Sequence, residues 1–589
     1  MKIEMLKKLF VITIILNLLG LSVFAQTKLK VSLLLYNGKV FTADEKFTIA
    51  EAVAVDGEKI VAVGTTKELR EKYSAVKEID LQGKLVTPGF NDAHVHFFRG
   101  ALSLLTVNLL NAKTVEEATA RVAAKVKETK QGEWIIGRGW DHTLWGGKFP
   151  TRADLDKVAP NNPVFLVRVD GHIGWVNSAA LRLAKIDKAT KNTEGGEIER
   201  DANGDATGIL KETAQGLVSD LIPQPTAEQS AKGMELALKM AREYGITSVQ
   251  DNSGYETTKL YREFLKADKL TVRVAEWQDF EDSVAEIKRQ RAEFDSFKDA
   301  PSRLKLTALK GYVDGTLGSK TASMLAPFTD DDKNFGIMRH QPEELTKMIV
   351  ERDAAGFQIA LHAIGDKANR MALDGYAATL NNPKYTESEL KQIEADKADG
   401  KIVDTINFSR LLNAKSNRRH RIEHAQVVNP SDFKRFAQLG IIASMQPTHA
   451  ISDKRWAESR LGEYRILGAY AWHLMKSYGV HVPFGTDFPV ESINPYQTLY
   501  AAVSRQDIDG EPFGGWQPQE KLSMVDAIRC HTYESAYAEF AEDEKGTIAV
   551  GMFADLVVHS KDLLTIEPKE ILTTEPIYTI FNGKIVYQK

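Results

Sequence analysis

"VTPGFNDAHVHF", residues 86–97, runs an apolar strand into a Pro-Gly turn and then into two histidines one residue apart. Side chains two positions apart on a strand leave from the same face, so His94 and His96 point the same way. Such a pair serves either a packed core or a metal ion. The choice depends on whether the rest of the chain supplies further ligands where a fold would gather them.

Downstream, short β-rich runs recur, several of them separated by helical stretches: "GITSVQD", "LTVRVAEW", "RLKLTALKGYVDG", "GFQIALHAIGD", "RHRIEHAQVV", "GIIASMQPTH" and "VHVPFGTDFPV". With the opening run they make eight near-continuous apolar strands, which predicts a parallel (β/α)8 TIM barrel over residues 87–540. The gap after the first run is too long for one helix. It predicts an insertion over about 100–240, with strands near "EWIIGRGWD" and "PVFLVRVDGH" and an Asn-Gly hairpin in "GGEIERDANGDATGIL". A charged second insertion, about 380–418, reads as helical surface. Strand-and-turn segments at the two ends, 26–86 and 541–589, are each too short to bury a face alone and are expected to pair into one β-sandwich.

In such a barrel, chemistry sits at the C-terminal ends of the strands. Those ends read His94 and His96, then Lys310, His362, His424 and Asp487. Any one of them has an ordinary structural explanation, but together at one mouth they form a ligand set for a divalent metal. Imidazole and carboxylate suit zinc and similar first-row ions better than calcium or magnesium. Lys310 would repel a cation as an ammonium. Desolvated, it can lose its proton and react with carbon dioxide to give a carbamate, an anionic ligand able to bridge two metals. Without the carbamate, one metal would be held by His94, His96, the later histidines and Asp487. A glycosidase built on Asp487 and Asp314 would leave the histidines without a task.

This order of residues on a barrel flanked by a split β-sandwich resembles the amidohydrolase superfamily, and more narrowly its YtcJ-like, amidohydrolase-3 branch. The resemblance runs from "LLYNGKVFT" to "ADLVVHS" and includes "DGHIGWVNSAAL", "GYVDGTLGSKTA", "LHAIGD", "RIEHAQ", "SMQPTHA" and "GTDFPVE". It implies metal-dependent hydrolysis of a carbon–nitrogen bond, of amide, N-formyl or N-acyl type, in a small molecule. By the same resemblance His94 and His96 bind one metal, and a carboxylated Lys310 bridges to a second held by His362 and His424. Asp487 binds metal and takes the proton of the attacking water. His172, in the insertion, is suggested as a catalytic donor closing over the site. A deaminase or cyclic-amide hydrolase at the same site, or a non-catalytic binding protein, are the alternatives.

Around these positions, Trp140, Asp141, Trp145 and Trp175 are candidates for the wall of an apolar pocket, and Gln446 and His449 for groups facing the site from the seventh strand. Strand alternation puts Glu423 on the face opposite His424, paired with Arg419 or Arg421. The charge balance, −4 over 589 residues, offers no basic field for nucleic acid. Lys2, Lys7 and Lys8 before "LFVITIILNLLGLSVFA" predict a signal peptide cleaved after Ala25, hence export to the periplasm or outside the cell with no lasting membrane anchor. The single cysteine, Cys530, makes no intramolecular disulfide and is expected to be a small buried apolar residue. A homo-oligomer is compatible with all of this.

Overall fold

A computed structural model describes residues 28–169, 171–297, 302–380 and 418–589. The expected signal segment and nearly all of the second expected insertion lie outside the described residues. Within them, no helix is long and apolar enough to cross a membrane.

The centre is a parallel sheet of seven strands in sequential order: Phe90–Val95, Ile246–Asp251, Arg273–Asp279, Leu304–Tyr312, Ile359–Ala363, Arg421–His424 and Ile442–Ser444. The eighth expected strand is irregular, yet it closes the ring. Met445 N donates to Pro483 O at 3.0 Å and Gly485 N to Met445 O at 3.1 Å on one side. On the other, Ala93 N donates to Phe484 O at 3.0 Å and Asp487 N to His94 O at 2.7 Å. Gly485 makes this closure possible, because a Cβ there would lie 2.6 Å from His94 N. The result is a TIM barrel.

The barrel strands are buried on both faces, which is why they read as apolar runs rather than alternating ones. Helix Ala227–Glu243 shows how the outer layer is specified. Thr226 and Gln229 cap it reciprocally, and Met234, Ala237, Leu238 and Ala241 repeat at helical spacing to bury one stripe in the core.

The opening run divides between two sheets. Leu85–Pro88 pairs antiparallel with Leu556–His559 in a six-stranded sheet, whereas Phe90–Val95 starts the barrel. That sheet carries strands from both ends of the chain and packs on a four-stranded sheet around Leu33, Val40, Val55, Val86, Leu556 and Ile580. The buried pair Arg273–Asp555, 2.6 Å, ties this sandwich to the third barrel strand.

The stretch after the first barrel strand builds its own six-stranded sheet. Its hairpin joins Gly196–Arg200 to Ala206–Glu212 as expected. Trp140 and Trp175 are fully buried there, with Trp145 stacked on Trp140, and their indole N–H groups donate to the carbonyls of Leu166, Thr151 and Ala112. Asp141 binds Arg168 at 2.8 Å. These aromatic residues form the core of the inserted sheet and not a pocket wall, because a small sheet needs large side chains to bury a face. Cys530 is buried and unpaired, with burial pushing its thiol up to about 12.

Candidate metal centre

His94, His424 and Asp487 come together at the C-terminal mouth, each offering a ligand atom within 4.8 Å of the others. His96 joins them. Its Nε2 lies 3.3 Å from Asp487 Oδ1, and His94 Nε2 lies 3.5 Å from the same oxygen. His362 packs on His424 with ring centroids 4.5 Å apart. Lys310 Nζ is buried nearby, 4.8 Å from the Tyr312 ring and 6.0 Å from that of Trp277. Two of these residues hold uncommon backbone: His424 has φ 73° and Asp487 φ 58°, left-handed values that a non-glycine residue keeps only when its surroundings over-determine it.

Each imidazole is oriented by an acceptor on its far side. His94 Nδ1 donates to Glu423 Oε2 at 2.5 Å, and His96 Nδ1 donates to Asn252 O at 3.1 Å. His424 Nδ1 donates to Gln446 Oε1 at 2.7 Å, and His362 Nε2 donates to Gly315 O at 3.0 Å. In a neutral ring the second nitrogen is then a lone pair. Burial, with the charge of Lys310, draws His94 down to about 4 and His362 to about 3, while burial and His362 put His424 well below its ordinary value.

For His94 that lone pair faces a carboxylate oxygen. Two acceptors turned on one another in a buried place call for a cation between them. His94 Nε2, Asp487 Oδ1 and Lys310 Nζ are all buried without a hydrogen-bond partner among the described residues, as metal ligands would be before an ion is counted. The residues therefore fit a divalent metal. Although burial raises Asp487, the imidazoles around it, His96 first, hold its carboxyl well below the usual range. Burial pulls the Lys310 amine down to about 8.

One expectation is overturned. Glu423 does not turn away from the site. It pairs with Arg421, but from inside the barrel, where it also receives the His94 proton. Alternation fails because the strand ends at His424, whose left-handed backbone breaks the period of two. Arg419 pairs elsewhere, with Glu542 at 2.6 Å. Burial would raise Glu423, but Arg421 and His94 hold it at about 2.

Gln446 and His449 do face the centre, His449 Nε2 lying 3.6 Å from Asp487 Oδ2. Asp314, weighed in the sequence only as a glycosidase acid, supports the centre instead. Its carboxylate accepts from Ser323 N, Ile364 N and Gly365 N and lies 3.6 Å from His362 Nε2. No local motif announces it, because its partners come from distant segments. His172 stands apart from this group, on the inserted sheet. More than half exposed, it meets Glu212 at 3.0 Å and lines an open groove with Gly195, Gly196 and Lys211.

Residues 77–587 match the model of the "Amidohydrolase family". The chain is 31% identical to the protein LONG AFTER FAR-RED 3 of Arabidopsis thaliana over 94% of this chain and 91% of that one. It is 28% identical to the N-substituted formamide deformylase of Arthrobacter pascens over 95% of this chain and 98% of that one. A crystal structure of an uncharacterized metal-dependent hydrolase from Pyrococcus horikoshii superposes with a TM-score of 0.70 at 26% identity, covering 91% of this chain and 99% of the other.

Proposed function

The chain belongs to the amidohydrolase family, and from that premise we propose that it is an exported enzyme removing a formyl or small acyl group from the nitrogen of a small molecule. The observation that carries the reading is the contact itself: His94 Nε2 and His96 Nε2 lie 3.5 Å and 3.3 Å from Asp487 Oδ1, and His94 Nε2 and Asp487 Oδ1 are buried without a hydrogen-bond partner among the described residues. The relative that acts on N-substituted formamides supports the choice of bond.

His94, His96 and Asp487 would hold one ion, with His424 beside them. Lys310, as a carbamate, would hold a second with His362 and His424. A divalent ion at such a place polarises a carbonyl and makes water nucleophilic near neutral pH; zinc suits the donor set. Asp487, kept ionised, is placed to accept the proton of the attacking water and to return it to the leaving nitrogen. The inserted sheet leaves the barrel at the end of the first strand, beside His96. His172, borne on that insertion, is proposed as the donor to the substrate carbonyl once the insertion closes. Export rests on the lysines and apolar run before Ala25.

The test is a panel of N-formyl and N-acyl amines assayed with the purified protein, its chelated form and the form restored with zinc, alongside metal analysis. Turnover should vanish with the metal and return with it. Unchanged turnover by metal-free protein would overturn the reading. Mass spectrometry of the mature N-terminus tests cleavage after Ala25.

A further inference from the structure

The opposite end of the barrel holds a second polar cavity, of about 320 Å³, between the N-terminal ends of the fourth, fifth and sixth strands. Arg291, Lys305, Gln358, Arg418 and Glu539 line it, with Phe540 at its edge. It lies away from the metal centre: Lys305 and Lys310 share a strand, and five residues of strand span roughly 16 Å.

The charges do not balance. Arg291 donates through Nε to Gln278 Oε1 at 2.7 Å and through Nη2 to Thr307 O, and it lies over the Phe357 ring, but among the described residues no carboxylate is within ion-pair distance, Asp295 acting on it from farther off. Burial pulls its guanidinium down to about 10, against the opposing pull of the Asp295 carboxylate. Among the described residues Arg418 has one ion-pair partner, the Asp353 carboxylate at 3.8 Å, with Nε donating to Asp353 O at 3.4 Å, and that carboxylate is also bound by His420 at 3.0 Å. Glu539, the one acid of the wall among the described residues, is shared by Lys545 at 2.8 Å, Lys305 at 3.2 Å and the Asn91 amide at 2.8 Å. Gln358 has its own amide group spent on the carbonyls of Arg419 and Ala538.

A cation would be repelled from this cavity, and an apolar ligand would leave the guanidinium of Arg291 desolvated and unpaired. An anion answers both, and arginine forks are the protein groups best matched to carboxylate and phosphate. The volume is about ten times the ~30 Å³ share of a water molecule, so it exceeds a bare phosphate. We propose that this cavity is a binding site for a small organic dianion, a phosphate ester or dicarboxylate, gripped by Arg291, Lys305 and Arg418. The site stands independently of the hydrolytic reading.

The probes are orthophosphate and succinate, titrated into the metal-loaded full chain against sodium chloride at matched ionic strength, with melting temperature and calorimetry as readouts. At least one dianion should bind saturably, and Arg291→Met and Lys305→Met should each weaken it about tenfold or more. Lys305→Met leaves Glu539 with Lys545, so it keeps the test alive if loss of Arg291 impairs folding. Preference between the two probes identifies the headgroup. A response no larger than that to chloride overturns the proposal. So does binding that both folded variants retain in full, which would place the anion at the metal centre.

Discussion

Glu423 accepts the Nδ1 proton of His94 at 2.5 Å while paired with Arg421, and so joins the packed centre of the barrel to its mouth. Arg421 is wholly buried, donating also to Gln250 Oε1 at 2.5 Å, Ala93 O at 2.8 Å and Ser444 Oγ at 3.0 Å. The guanidinium keeps Glu423 ionised, and the carboxylate keeps the His94 proton on Nδ1. Nε2 is thereby left as a lone pair aimed at Asp487, so a residue with no reach to substrate sets the state of one that faces the centre.

Glu423→Gln should therefore weaken metal binding by about 10–100-fold with the barrel still folded. Competition against a chromogenic chelator measures the affinity, and circular dichroism reports the fold. If the variant binds metal as tightly as the parent, Glu423 serves Arg421 alone.

Asp487→Asn removes the group proposed to carry the proton, and an amide cannot take it. Turnover should fall by about 10²–10⁴-fold, the usual worth of a positioned general base. The measurement is kcat on whichever formamide the panel identifies, with metal content determined on the same sample. Full activity in a variant that retains its metal would move the proton to another group.

The residues that face the mouth were legible because strand periodicity and barrel topology act together. His94, Lys310, His362 and His424 lie within the last three residues of their strands, His96 one step past its strand and Asp487 on the irregular closing segment, and parallel strands bring such ends to one face. What escaped depends on backbone that leaves the extended form. Glu423 was misplaced because His424 adopts φ 73°, and no composition signal marks that turn. The role of Asp314 beside His362 escaped because two of the amides it accepts from, on Ile364 and Gly365, lie some fifty residues on in the chain. The tryptophans were ambiguous in kind, since large aromatic side chains serve equally as pocket wall and as core.

Trp140 provides a check on that last distinction. Trp140→Ala empties the centre of the inserted sheet and leaves Leu166 O without its indole donor. The insertion should lose about 3–5 kcal/mol of stability. Limited proteolysis should then cut within 107–212 while the metal content stays unchanged. A parallel loss of metal would tie the insertion to the centre more closely than its own core requires.

Lys310 gives a prediction in pH. Only the neutral amine reacts with carbon dioxide, and burial has drawn this amine from 10.5 to about 8. At pH 7 roughly one molecule in ten would carry it unprotonated, against fewer than one in a thousand for an ordinary lysine. The neutral fraction rises as pH rises through 8, so metal-free protein restored with zinc in bicarbonate buffers set to one dissolved carbon dioxide concentration should regain activity faster up to about pH 8.5 and then level off. Restoration without bicarbonate should be slower at every pH, and Lys310→Met should show neither dependence. Stopped aliquots assayed for turnover follow the rate, and ¹³C-labelled bicarbonate should place a carbamate resonance on the parent protein alone. If restoration is indifferent to bicarbonate and no such resonance forms, Lys310 acts at the centre as a plain amine.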